Sequence, residues 1–103
     1  MGRSYAIEFH PKDSLKDDNG DPVWGDTNHD QQLIRIEDGL PHDKERAIVL
    51  HEWYHQLLSL LNINLPADDE EHLCTVLGEA HIGHIRDNPK FWRYVMRKER
   101  KAT

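Results

Sequence analysis

The sequence predicts an α+β fold in which a small antiparallel sheet of about three strands is followed by three helices. Three observations favour this class. The first forty residues alternate short apolar segments with turn formers, the residues from 42 onward follow the helical period, and prolines divide that second half. A chain of 103 residues has room for one hydrophobic core, so we expect residues 1–103 to form a single domain.

The predicted strands lie in the first forty residues. Residues 4–10 alternate apolar and polar side chains, which is typical of a half-buried strand. Asn19-Gly20 favours a tight turn, and Val23 opens a second strand. Residues 31–37 predict a third strand, with Ile36 and either Leu33 or Ile34 pointing inwards.

Three helices are predicted from His42 onward, each bounded by a capping residue or a proline. The first has a broad apolar face. The third begins with proline at its first helical position, where the missing N–H costs no hydrogen bond. The expected bounds are Asp43 to about Asn62, Asp68 or Asp69 onward after Pro66, and Asn88-Pro89 towards Glu99.

The composition argues against several classes of protein. The net charge of −6 disfavours a general nucleic-acid binder, because phosphates would repel it. Cys74 is the single cysteine, so no disulfide can form within the chain and a reducing compartment is expected. Since the sequence has neither the apolar core of a signal peptide nor a bilayer-spanning stretch, we expect a cytoplasmic protein with no membrane partner.

The segment His51-Glu52-Trp53-Tyr54-His55 predicts a metal site. Histidines four residues apart on a helix project from one face, so both imidazoles can reach a single ion, and nitrogen ligands suit Zn²⁺. Glu52 lies about 100° further round the helix. It can therefore act as a general base towards water at the metal without binding the metal itself.

Coincidence is the alternative interpretation of this segment. A chain with eight His and eight Glu contains the motif in roughly one random order in twenty. The motif, however, falls in the longest and best-patterned predicted helix, and both histidines flank its apolar face. This placement favours the metal site.

A catalytic zinc takes three protein ligands and keeps one position open, so the motif needs one more ligand. Glu70, Glu71 and Glu79 on the second helix are the candidates. Rotation along that helix favours Glu70, which lies near the apolar stripe. Small side chains beside Glu71 would let two helices approach closely. The residues alone leave this choice open.

Several motifs, taken in order, resemble one family. They are Gly25 followed by Leu33-Ile34-Arg35-Ile36, the helix of residues 47–55 with the metal motif, Glu70-Glu71-His72-Leu73-Cys74, and Arg86-Asp87-Asn88-Pro89. Together they cover roughly residues 23–95. This set resembles small zincin metallopeptidases of gluzincin type that phages and prophages encode, and is similar to the peptidase domains that cleave phage repressors.

The resemblance implies a third ligand and a substrate class. In the family pattern the ligand glutamate is followed by small or apolar residues at three, six and seven positions, which selects Glu71. The implied zinc ligands are then His51, His55 and Glu71. The resemblance also implies that residues 33–36 lie along the cleft, where a peptide or protein substrate adds in extended form, and that the protein works in the host cytoplasm.

The chain departs from this family in two ways. Trp53 and Tyr54 are bulkier than the aliphatic residues usual between the motif histidines, and no oxyanion-stabilising Tyr or His can be assigned by spacing. Histidines of the second helix could approach the site and supply that role. The simpler interpretation is that each hydrogen-bonds locally. These histidines are His72, His81 and His84.

The C-terminal helix is predicted to be basic. Its cations are Lys90, Arg93, Arg97, Lys98, Arg100 and Lys101, interleaved with Phe91, Trp92 and Tyr94. The simpler interpretation is that the aromatic rings pack inward while the cations favour the helix C-terminus. The alternative is docking onto an acidic partner or a nucleic acid.

Two functions are therefore expected. The first is a zinc-dependent metallopeptidase, in which Glu52 is the catalytic base. The alternative is a catalytically silent zinc-binding regulatory protein that engages a partner through its basic C-terminal helix. An open coordination position favours the enzyme, whereas a closed four-ligand site favours the regulatory protein.

Overall fold

The computed structural model describes residues 5–97, in which a sheet is followed by helices. The strands are β1 (Ala6–His10), β2 (Gly25–Asn28) and β3 (Leu33–Glu37), and the helices are α1 (His42–Leu60), α2 (Ala67–Asp87) and α3 (Pro89–Val95). This element order confirms the predicted α+β class. In residues 5–97 no helix has the length and apolar character that crossing a membrane requires.

The sheet is mixed and has the strand order β1-β3-β2. The β2–β3 hairpin is antiparallel, as predicted, with Gly25 opposite Ile36. β1 instead runs parallel to β3, with Ile7 beside Ile34, so the prediction of an antiparallel sheet was wrong for this pair. Side-chain alternation does not encode strand direction, and residues 11–32 are long enough for the crossover that a parallel pair needs.

The core lies where α1 packs against the hairpin and against α2, and β1 lies outside it. Ile34 and Ile36 are 1% and 0% exposed, so Ile34 is the inward residue at the start of β3. α1 packs on β2 and β3 but not on β1. For this reason Ile7 and Phe9 stay 46% and 54% exposed, and the predicted half-burial of this strand was wrong.

Prolines, rather than aspartates, precede the first two helices. Pro41 and Pro66 are the N-caps, and their carbonyl oxygens accept the N–H groups of Glu45 and Glu70 at 2.9 and 3.0 Å. The predicted capping by Asp43, and by Asp68 or Asp69, was therefore wrong. These acids lie in the first turns, where they favour the positive end of the helix dipole.

The first and third helices end earlier than predicted. α1 ends at Leu60, and Asn62 has φ +56°, a left-handed conformation that stops a helix. α3 ends at Val95, short of Glu99, where the N–H of Arg97 turns back to the carbonyl of Tyr94. Lys98, Arg100 and Lys101 lie outside the described residues.

Two glycines bring the neighbouring elements close to α1. A Cβ on Gly78 of α2 would lie 2.9 Å from the carbonyl oxygen of Ala47 and 3.1 Å from the backbone nitrogen of His51. A Cβ on Gly25 of β2 would lie 2.7 Å from a methyl group of Ile48. The turn of α1 that leads into the metal motif therefore lies against the backbone of α2, and its Ile48 side chain packs directly on the sheet at Gly25.

We expect Gly78→Ala to destabilise the protein by about 1–3 kcal/mol, because the new methyl group meets backbone atoms that cannot move aside independently. The matched control is Gly83→Ala in the same helix. There a Cβ meets only the flexible end of Arg86, at 3.6 Å. Because alanine has the higher helix propensity, Gly83→Ala should stabilise the protein by about 0.5–1 kcal/mol. Urea unfolding of the two variants measures this. Equal stability would contradict the close packing.

Candidate metal centre

The motif histidines lie one turn apart on α1 and face each other. Their ring centroids are 4.8 Å apart, and the two Nε2 atoms are 3.2 Å apart. The side chains of His51 and His55 are 15% and 16% exposed. Two partly buried imidazole nitrogens therefore converge on one point at the surface of α1.

Glu71 of α2 completes a group of three. Its Oε1 lies 2.9 Å from Nε2 of His51, and its Oε2 lies 2.9 Å from Nε2 of His55. The glutamate side chain is 61% exposed, so the group is open to solvent on its α2 side. Across residues 5–97, these three side chains make up the cluster whose ligand atoms could share an ion.

The donor set and its spacing fit zinc. Two imidazole nitrogens and one carboxylate oxygen form a ligand set typical of catalytic zinc sites. Two nitrogens bound to one tetrahedral zinc at about 2.0–2.1 Å are about 3.3 Å apart. The observed separation of 3.2 Å between the Nε2 atoms is close to that value. The ion would be held by His51, His55 and Glu71.

Glu70 and Thr75 orient the two histidines. Oε2 of Glu70 accepts a hydrogen bond from Nδ1 of His55 at 2.6 Å. Oγ1 of Thr75 donates to the carbonyl of Glu71 and lies 3.2 Å from Nδ1 of His51. With a proton on each Nδ1, both Nε2 lone pairs face the proposed metal position. Glu70 and Glu71 thus contact different nitrogens of His55, an arrangement that helical rotation alone, which favoured Glu70 as the ligand, did not predict.

Glu79, the other predicted candidate for the third ligand, lies apart from the metal group. It lines the same cleft but lies two helical turns beyond Glu71, outside the three-residue group. Thr75 was missed in the sequence because a threonine in mid-helix carries no distinctive signal. Its position four residues after Glu71, one turn along the same face, is the only clue.

Glu52 lies beside the group without joining it. It is 8% exposed, and its Oε2 is 3.7 Å from Nε2 of His51. Burial, reinforced by the charges of Glu71 and Asp26 and opposed by that of His55, raises the pKa of Glu52 to about 7. A carboxyl group with such a pKa can both accept and release a proton near neutral pH.

The pKa values of the two histidines are shifted in opposite directions. Burial lowers the pKa of His51, and the nearby His55 adds to this effect. Burial also acts to lower the pKa of His55, but the hydrogen bond that His55 donates to Glu70 and the charges of Glu52 and Glu71 outweigh it and raise the net value. The carboxylates therefore concentrate negative charge around His55, where a cation would be stabilised.

Two of the remaining histidine candidates, His81 and His84, contact side chains of α1 and α3 instead of the metal group. Nδ1 of His81 lies 3.0 Å from the hydroxyl of Tyr54, and Nδ1 of His84 accepts the indole N–H of Trp92 at 2.9 Å. His72 is exposed on α2. None of these side chains lines the cleft beside the metal group. The structure brings no predicted oxyanion-stabilising residue to the site.

A cleft of about 720 Å³ opens beside His51, Glu52 and Glu71. One wall is α2, and the other is formed by the N-terminal half of α1 and residues 22–25. The prediction that residues 33–36 border the cleft was wrong, because β3 is the central strand and is paired on both sides. The strand that reaches the cleft is β2, an edge strand, through its first residue, Gly25.

Comparison with protein-family models, with curated proteins and with solved structures gave no match for this chain.

We expect His51→Ala and Glu71→Ala to lose stoichiometric zinc, because each removes one of three donors. Glu70→Ala should keep the donors but weaken zinc affinity about 10–100-fold, since His55 loses its orienting partner. Asp69→Ala, an exposed carboxylate in the same first turn, is the control and should bind normally. Metal analysis after dialysis and competition with a chelating dye measure both effects. Zinc retained by His51→Ala would refute the site.

Glu52→Gln should stabilise the metal-free protein at pH 8 but not at pH 5. The folded-state pKa of about 7 lies above the ordinary 4.5, so the native state holds a proton that the unfolded chain releases. Stability therefore falls as pH rises through this window, and glutamine removes that loss, which is about 3 kcal/mol at most. Urea unfolding in chelator at both pH values tests this. An equal effect of the substitution at both pH values would contradict the burial of an ionisable group.

Proposed function

We propose that the protein is a zinc-dependent metallopeptidase of gluzincin type. The observation that carries the proposal is the contact of one Glu71 carboxylate with both motif histidines, beside a buried Glu52. Three protein donors leave one tetrahedral position for water or substrate, which is the arrangement of catalytic zinc sites. The position next to a cleft gives a substrate access to that point.

The chain's own residues supply the proton transfers. Glu52 accepts a proton from the attacking water and then delivers it to the nitrogen of the leaving amine. When bound, zinc would lower the pKa of water and polarise the substrate carbonyl. Glu70 and Thr75 keep His51 and His55 in the tautomer that directs Nε2 towards the ion. The burial of Glu52 raises its pKa to about 7, so its carboxyl group can both take up and release that proton.

The proposed substrate is a peptide or protein segment in extended form. β2 is a sheet edge whose first residue, Gly25, lines the cleft, and its outer backbone groups are not used by β3. A peptide strand could add to such an edge through main-chain hydrogen bonds, with its side chains in the cleft. Trp24, immediately before β2, lines the cleft and is 50% exposed, so it offers an apolar surface there.

The second candidate function is a catalytically silent zinc-binding regulatory protein. One observation favours it. Among the cleft-lining side chains of residues 5–97 there is no tyrosine, and the single histidine is the ligand His51. An oxyanion would then have neither a tyrosine nor a second histidine as a hydrogen-bond donor. Cleavage measurements with variants of Glu52 separate the two functions.

We also propose a relation to phage and prophage zincins and a cytoplasmic location. The motif order resembles phage and prophage zincins, which implies work in a host cytoplasm. Cys74 is fully buried, and burial together with Glu70, Glu71 and Glu52 raises the pKa of its thiol to about 11. A thiol held this way is unreactive, which is compatible with the reducing cytoplasm but does not select it.

Glu52→Gln should retain zinc and lose at least about 100-fold in cleavage rate, because the general base is gone while the ligands remain. The assay is digestion of a panel of unfolded proteins by zinc-loaded protein, followed by mass spectrometry. Glu79→Gln, which removes a carboxylate from the same cleft, is the matched control and should keep cleaving. Zinc-loaded wild type that cleaves nothing would favour the regulatory function.

A further inference from the structure

The positive charge of the chain is concentrated at its C-terminal end. Six of the 13 Lys and Arg residues, but one of the 19 Asp and Glu residues, lie in residues 90–103. The rest of the chain is strongly acidic. Such a segregation of charge is typical of a surface that meets an anionic partner.

The described part of this segment forms a shallow groove on α3, which we call the α3 groove. It is lined by Lys90, Arg93, Tyr94, Met96 and Arg97 and encloses about 540 Å³. No acidic side chain lines it. The Tyr94 ring is 62% exposed, and the guanidinium of Arg97 lies 5.8 Å from its centroid.

Packing of α3 does not use the side chains of the α3 groove. α3 contacts only α2 among the helices and strands. Trp92 makes that contact, with its ring 4.8 Å from His81 and its N–H bonded to His84. The simpler sequence interpretation, that the aromatic rings all pack inward, was therefore wrong for Tyr94 and Phe91, which are 62% and 54% exposed.

We propose that the α3 groove binds single-stranded nucleic acid. Lys90, Arg93 and Arg97 would contact consecutive phosphates, and the exposed face of Tyr94 would stack on an unpaired base. A single strand presents phosphates and base faces together, which matches cations and an aromatic ring in one groove. In a duplex the base faces are already stacked.

A membrane surface fits the α3 groove less well than a single strand does. Insertion of an interfacial helix needs an apolar face with cations on the other side. Here three cations share the concavity with Tyr94 and Met96. Burying those apolar groups in lipid would bury the charges as well, at a high cost.

The net charge of −6 limits the affinity but does not prevent binding. Charges further away than about 8–10 Å are largely screened at physiological salt, so the cations of the groove dominate locally. Three phosphate contacts predict a slope of about −2 for the logarithm of the binding constant against that of salt concentration. The proposal involves none of the zinc ligands and stands independently of the peptidase proposal.

The test is fluorescence anisotropy of the full chain with a labelled 15-nucleotide oligo-dT, from 25 to 200 mM salt. Replacing Lys90 and Arg93 together by Gln should weaken binding about tenfold and flatten the salt slope by about 1.4. Tyr94→Leu should weaken binding about tenfold with an unchanged slope, because a stacked base is lost and no charge is removed. Replacing Lys12 and Lys16 together by Gln is the control. It removes the same two charges at exposed positions that are distant in sequence from the α3 groove.

Four results would overturn the proposal. The first two are no binding of oligo-dT at 25 mM salt, and a loss of affinity in the Lys12 and Lys16 control equal to that of the Lys90 and Arg93 variant. The third is an affinity for heparin or duplex DNA equal to that for oligo-dT, together with no effect of Tyr94→Leu. The fourth is a preference for anionic phosphatidylserine vesicles over the oligonucleotide. Circular dichroism of each variant establishes that the fold is kept. The substituted side chains are exposed, so folding should not change.

Discussion

The site depends on how closely α2 approaches α1. Glu71 can contact His51 and His55 only if the two backbones come together, and Gly78 permits this because a side chain there would meet the backbone of Ala47 and His51. Gly78 lies seven residues after Glu71, almost two full turns along the same face of α2. One stripe of α2 therefore carries both the ligand and the contact that sets its distance from α1.

This geometry concentrates acidic groups where they repel one another unless a cation is near. Glu70, Glu71 and Glu52 surround the two imidazoles, and burial raises the pKa of Glu52 to about 7. A divalent ion would relieve that repulsion and join α1 to α2 at the same time. The buried apolar core is small, so such a link would add substantially to the stability of the domain.

Much of the fold, and part of the site, follows from patterns that a sequence carries locally. The helical period and the four-residue spacing predicted that His51 and His55 share one face. What the sequence could not provide was tertiary. Side-chain alternation could not show that β1 runs parallel to β3, nor that α1 stops short of covering it. Rotation along α2 favoured Glu70 as ligand, whereas the approach of the helices places Glu71 against the histidines and Glu70 behind His55.

X-ray absorption at the zinc edge of the zinc-loaded protein would detect an open zinc site made of two imidazoles and one carboxylate. For this site we expect four light-atom ligands at about 2.0–2.2 Å, with scattering from two imidazole rings and one exchangeable oxygen. Loss of zinc on buffer exchange, a sulfur ligand from Cys74, or a closed shell with three or more imidazoles would contradict it.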